Sequence, residues 1–150
     1  MADYGNEVIK RLSDGQKIGY SGPSDSTMAY IGGQTNYGLA IKLYARTAIT
    51  IEAAKYWYIE LEVWTSDVGG SAIAPFKTGG AAEANAHLYL LHRTSSDPEL
   101  QFAAGDLILE YVIPNWFYED GVKYDWVQLT YVTDRTDVNE TVDALLVAVI

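Results

Sequence analysis

The run Tyr58-Ile59-Glu60-Leu61-Glu62-Val63-Trp64-Thr65 places an apolar residue at every second position. A period of two belongs to the β-strand, whose successive side chains face opposite ways. Ile59, Leu61 and Val63 fall on one face and Glu60 and Glu62 on the other, which is the pattern of an antiparallel sheet with one dry and one wet side. Runs of similar length at 37–45, 86–91, 106–113, 124–132 and 141–149 extend this reading, and the stretches between them carry turn residues. The run from Asp106 ends at Pro114, which has no amide hydrogen for a sheet ladder, so 115–121 is read as a loop. The polar stretch 133–141 joins two apolar runs and is read as a hairpin. The last run is apolar on both faces, with Ala144, Leu146, Ala148 and Ile150 on one and Leu145, Val147 and Val149 on the other, as in a central or covered strand.

The first 36 residues are less regular. Tyr4, Val8, Ile9 and Leu12 recur at spacings of three or four, which predicts a short helix over 6–12 or, alternatively, an extended arm. Residues 66–85, with Gly69-Gly70, Pro75 and Gly79-Gly80, read as a long loop. The chain of 150 residues suits one domain. The expected organisation is an arm or short helix over 1–20 and a β-sandwich over 21–150. With about seven or eight strands, the expected fold is an all-β, single-domain antiparallel sandwich of jelly-roll type with an N-terminal arm.

Charge and composition narrow the functions. Ten Lys and Arg stand against 20 Asp and Glu, a formal charge of −10 at pH 7. Such a chain is a poor match for nucleic acid or an anionic membrane surface, both of which call for clustered basic residues. The absence of cysteine excludes disulfides, thiolate metal sites and thiol nucleophiles. The acidic start, Met1-Ala2-Asp3-Tyr4, lacks the pattern of an export signal, and no apolar stretch approaches the roughly 20 residues of a membrane-spanning helix.

Few residues suggest chemistry. His87 and His92 are five apart and fall on opposite faces of a strand, so one strand cannot offer both to a metal. Glu60 and Glu62 stand about 6–7 Å apart along one strand face, near the separation of glycosidase carboxylates. Tyr58 and Trp64 share that face and make it an alternative sugar platform. Asp134, Asp137, Asn139, Glu140 and Asp143 form an acidic cluster without calcium-loop spacing, read as a solvated hairpin tip with weak calcium binding left open. No nucleophile or phosphate-loop motif occurs, and no cofactor is called for. Aromatic clusters stand out instead: Tyr56-Trp57-Tyr58 and Trp116-Phe117-Tyr118. Consecutive aromatics in an extended chain cannot all point inward, and Trp and Tyr anchor many protein interfaces.

Three segments carry a resemblance. Leu12-Ser13-Asp14-Gly15-Gln16-Lys17-Ile18 is similar to a Phe-Ser-Asp-x-Gln-x-Ile opening. It is followed by a short apolar step, Ser26-Thr27-Met28-Ala29-Tyr30-Ile31-Gly32. Ile59-Glu60-Leu61-Glu62-Val63-Trp64-Thr65-Ser66-Asp67 resembles a strand ending in Thr-Ser-Asp. Trp126-Val127-Gln128-Leu129-Thr130-Tyr131-Val132 is similar to a Tyr-x-x-Leu-x-Tyr-x-Val segment, with Trp126 in place of the first Tyr and Val132 one place early. Together, over roughly residues 12–150, they resemble the capsid cement proteins of short-tailed bacteriophages, small jelly-roll decoration proteins. The chain departs from that pattern in its aromatic loop at 115–120 and its additional N-terminal residues.

The resemblance implies a structural virion protein on the outer surface of the head, with no catalytic residues. Its expected partners are the phage major capsid protein and further copies of itself as a dimer or trimer. The candidate contact residues are Tyr4, Val8, Ile9 and Leu12 near the N-terminus and Trp116, Phe117 and Tyr118 in the aromatic loop. The competing expectation is a carbohydrate-binding sandwich module, as in a tail or surface adhesin, using Tyr58 and Trp64. A glycosidase built on Glu60 and Glu62 ranks third.

Overall fold

The computed structural model describes residues 7–18, 24–31, 38–64, 88–94, 96–113, 117–119, 122–134 and 139–149. All regular structure among them is strand. In chain order the strands are β1 (Glu7–Lys17), β2 (Ser24–Asp25), β3 (Ala29–Tyr30), β4 (Gly38–Ala45), β5 (Ile49–Ile51), β6 (Trp57–Trp64) and β7 (Leu88–Arg93). They continue with β8 (Leu100–Phe102), β9 (Leu107–Ile113), β10 (Phe117–Glu119), β11 (Val122–Tyr124), β12 (Trp126–Thr133) and β13 (Thr141–Val149).

Two antiparallel sheets organise the chain. The first has the order β1-β13-β4-β9 and the second β2-β12-β6-β7, with β3 also paired to β12; β5-β8 and β10-β11 form small ribbons. Alternation decides what lies between the sheets. Leu39, Ile41, Leu43, Ala144 and Leu146 from the first meet Trp57, Ile59, Leu61, Val127, Leu129 and Tyr131 from the second in one buried cluster, giving a β-sandwich. Each large apolar side chain sealed there contributes about 1.5–3 kcal/mol relative to exposure.

Each of the six runs with strand patterning is strand over most of its described residues, and β6 shows the strict alternation of buried and half-buried residues that its sequence demands. β13 is a central strand with both faces covered. Ala144 and Leu146 enter the main core, while Leu145 and Val147 join Ala40 and Tyr44 in a second cluster on the opposite face.

Three expectations need correction. The helix read over 6–12 is instead part of β1, an edge strand of the first sheet. β1 pairs with β13 two residues at a time, Glu7 and Val8, Lys10 and Arg11, Ser13 and Asp14, then Gln16 and Lys17, with a register shift after each of the first three pairs. Ile9, Leu12 and Gly15 are the extra residues. A bulge at every third position replaces the period of two with spacings of three and four, which imitates a helix in the sequence. Segment 7–17 is thus built into the sandwich rather than hung from it as an arm.

The stretch 133–141 is not a hairpin either. β12 belongs to the second sheet and β13 to the first, so the link carries the chain from one sheet to the other. Its far end is tied to the segment after β4, where Thr50 N donates to Glu140 Oε2 at 2.7 Å and Thr141 N to Thr47 Oγ1 at 3.0 Å. The expected loop at 115–121 contains β10, which pairs with β11 through Phe117↔Tyr124 and Glu119↔Val122. The long loop expected at 66–85 lies outside the described residues.

Candidate functional site

The outward face of the second sheet gathers aromatic side chains at both ends of a polar strip. Because β6 points Trp57, Ile59, Leu61 and Val63 inward, Tyr58, Glu60, Glu62 and Trp64 must point outward. Register supplies their neighbours. Trp126 of β12 lies opposite Trp64, Gln128 opposite Glu62, Thr130 opposite Glu60 and Val132 opposite Tyr58; on the other side, β7 sets His92 opposite Tyr58 and Tyr89 opposite Glu60.

At one end Tyr58 is the hub of a ring cluster. Its ring stacks on Tyr56 with centroids 5.0 Å apart and a 16° angle, and it meets His92 at 4.6 Å and Tyr89 at 5.6 Å, both tilted by 50°. Tyr89 and His92 stack at 4.5 Å. At the other end Tyr30, 51% exposed, packs against Trp126 at 5.3 Å with a 59° tilt, beside Trp64 on the neighbouring strand. Between the ends lie Glu60, Glu62, Gln128 and Thr130. Thr130 Oγ1 donates to Glu62 Oε1 at 3.1 Å and Gln128 Nε2 to the Ser26 carbonyl at 2.9 Å. Partial burial, with the Glu60 and Tyr58 charges adding to it, holds the Tyr89 phenol above its ordinary pKa.

The two residues of the expected sugar platform, Tyr58 and Trp64, therefore share a face but occupy opposite ends of it, six residues or about 20 Å apart. The N-terminal contact set divides. Val8 and Ile9 are exposed at 39% and 42%, but Leu12 is 2% exposed and belongs to the core, where the bulge turns it inward. Tyr4 and Trp116 lie outside the described residues. Phe117 and Tyr118 are placed only as residues of β10, paired with Tyr124 and Lys123.

Of the acidic cluster, Asp134, Glu140 and Asp143 have separate structural duties, and Asp137 lies outside the described residues. Asp134 Oδ1 accepts from Tyr56 N at 3.1 Å, and Glu140 anchors β5 as described. Asp143 sits opposite Asp14 across β13 and β1, a like-charge pair that needs compensation. Arg46 supplies it: its Nη2 lies 3.1 Å from Asp143 Oδ1 and also reaches Asp14, while Arg11 Nη1 approaches Asp143 Oδ1 at 3.4 Å. Hydrogen bonds to Asp143 and Asp14 raise the guanidinium pKa further. Gly15 N donates to Asp143 Oδ1 at 2.8 Å, and a Cβ on Gly15 would stand 2.5 Å from Arg46 Nη1. Among the described residues no group of three His, Cys, Asp or Glu is placed to hold a metal ion. Of the two histidines, His92 is in the ring cluster and His87 lies outside the described residues.

Sequence reasoning finds Tyr58, Glu60, Glu62 and Trp64 as one face and Tyr56 beside it in the chain, but misses Tyr30, Tyr89 and Trp126 as its neighbours. Their only common signal is register, which depends on strands far apart in the chain. Protein-family models, curated proteins and solved structures contain no match to this chain.

Proposed function

We infer that this chain is a structural docking protein, a capsid cement that binds the outer surface of a phage head and bridges neighbouring major capsid subunits. The observation that carries the reading is the outer face of the second sheet. Its large rings are half-exposed on a rigid sheet, where ordering them on binding costs little further entropy, and such residues are the usual anchors of protein contacts.

Two further features support it. The chain divides its principal strands between two antiparallel sheets, β1, β4, β9 and β13 in the first and β2, β6, β7 and β12 in the second, which is compatible with the expected jelly roll. The segments that carry the cement resemblance also meet: Ser13 of the first hydrogen-bonds Tyr131 of the third across the core at 2.9 Å, and the second and third pair along their length as β6 and β12. On a lattice, contacts of about 800 Å² per partner become durable through high local concentration.

The test is binding to empty expanded heads encoded beside this gene. Saturable, stoichiometric decoration that raises the temperature of head disruption supports cementing, and absence of binding to those heads sinks it. A second reading, a carbohydrate-binding module, draws on the alternation of rings and carboxylates along β6. It predicts glycan-array binding that is lost in Tyr58→Ala or Trp64→Ala.

A further inference from the structure

The outer face of the second sheet has a charge character that points to one kind of partner. Its middle is held by the carboxylates of Glu60 and Glu62, its ends by ring faces, and no Lys or Arg among the described residues stands on it. The buried Arg93 of β7 is turned the other way, with its guanidinium directed at the carbonyls of Glu52, Asp97 and Pro98. Two neutral donors of the strip are already committed, Thr130 to Glu62 and Gln128 to Ser26. In chemical character the face is carboxylate oxygen and π-surface.

Those are the two groups that a guanidinium or ammonium binds, one through charge-assisted hydrogen bonds and the other through the ring quadrupole. A pyranose platform has a different requirement, ring planes that lie flat and together. Here Tyr56–Tyr58 and Tyr89–His92 are near parallel at 16° and 13°, but Tyr58 meets both Tyr89 and His92 at 50° and Tyr30 meets Trp126 at 59°, so the rings do not share one plane. The formal charge of −10 over the chain adds long-range attraction for a cationic partner.

We propose that this face docks a protein segment bearing Arg or Lys side chains, with a cation seated beside Glu60 and Glu62 against the Tyr58 and Tyr89 rings. The inference deepens the docking reading above and rests on it for the identity of the partner, but not for the chemistry of the face. The span from Tyr58 to Trp64 is about 20 Å, matching six or seven extended residues of a partner.

Two experiments separate the claims. In the first, the intact protein is titrated with a capped Gly-Arg repeat peptide of about eight residues, long enough to cross the face, and with its citrulline counterpart, followed by tryptophan fluorescence. The expected result is saturable binding of the arginine peptide, weakened about tenfold by the pair Glu60→Gln and Glu62→Gln. The pair Glu99→Gln and Glu110→Gln, with the same net charge, should leave it within about twofold. Equal loss in both pairs, citrulline binding as tight as arginine, or no binding at low salt overturns the proposal. In the second, the same variants and Tyr89→Ala are bound to cognate heads. Heads that accept wild type and lose the Glu60/Glu62 pair and Tyr89→Ala support it. Heads that accept all variants equally overturn this face as the docking surface and leave cementing intact. Heads that refuse wild type overturn cementing, and the peptide titration then decides the chemistry by itself.

Discussion

Ser13 and Tyr131 permit a prediction in which removing the donor hydroxyl does less harm than removing the acceptor. Their hydroxyls are 2.9 Å apart in the core and join β1 of one sheet to β12 of the other. Ser13 Oγ also donates to Gln16 Oε1 at 2.8 Å, so the Ser13 proton is already placed and the Tyr131 phenol is the donor of the cross-sheet bond. Tyr131→Phe removes that donor and leaves Ser13 bonded to Gln16, a loss of about 1 kcal/mol. Ser13→Ala leaves the phenol, 1% exposed, with a buried donor and no acceptor, at a cost of about 2 kcal/mol. Combining the two removes the stranded donor, so the double variant should be more stable than Ser13→Ala alone, by about 1 kcal/mol. Urea unfolding reads this as midpoints in the order wild type, Tyr131→Phe and the double variant, then Ser13→Ala, at constant slope. In thermal scans each 1 kcal/mol corresponds to about 2–4 °C for a domain of this size. If the two single variants cost the same, or the double variant is the least stable, the asymmetry argued from the hydrogen bonds is wrong.

Other perturbations follow from the same packing. Burial holds the Tyr131 phenol well above its ordinary value, so the folded chain keeps a proton that the unfolded chain sheds above about pH 10. Its contribution is complete below that pH and is lost as pH rises, and Tyr131→Phe should flatten the alkaline fall in stability measured by urea titration from about pH 9 to 11. Gly15→Ala places a side chain at φ +64° and drives Arg46 off Asp143 and Asp14; the backbone alone costs about 1 kcal/mol, and the variant should lose part of the salt dependence of stability. Leu146→Ala, at 0% exposure, should cost about 3 kcal/mol, whereas Val112→Ser, at 62%, should stay within about 0.5 kcal/mol. Equal effects at these two positions would contradict the placement of the core.

Where the ladder is regular, the sequence announces it. β6 and β13 were readable because each residue of the pleat leaves its mark at a period of two, and the apolar character of both faces of β13 betrays its central position. β1 was not readable for the opposite reason: extra residues at Ile9, Leu12 and Gly15 scramble the alternation, so Leu12 looked like a contact residue and proved to be core. The connection between β12 and β13 has the polarity of a turn whether it folds back or crosses between sheets, and composition does not distinguish the two. The candidate face was half legible. One strand shows which of its own residues face outward, but bringing Tyr30, Tyr89 and Trp126 to it needs the pairings of β3, β7 and β12.

The position of β13 bears on how the chain is made. It is the strand that both β1 and β4 pair with, yet it lies about a hundred residues after β4, and Glu7 finds its partner only at Ala148. On the ribosome the first sheet has no centre until residues 141–149 have emerged. The second sheet, whose β6 and β12 precede them, is complete first and offers one finished apolar wall. β4 finds β9 within the first 113 residues, but β1 has no strand partner until β13 arrives. A premature stop between Thr133 and Thr141 therefore leaves the second sheet facing only the β4–β9 pair, with β1 unpaired and part of the inner face uncovered, a species for proteases and chaperones rather than for assembly.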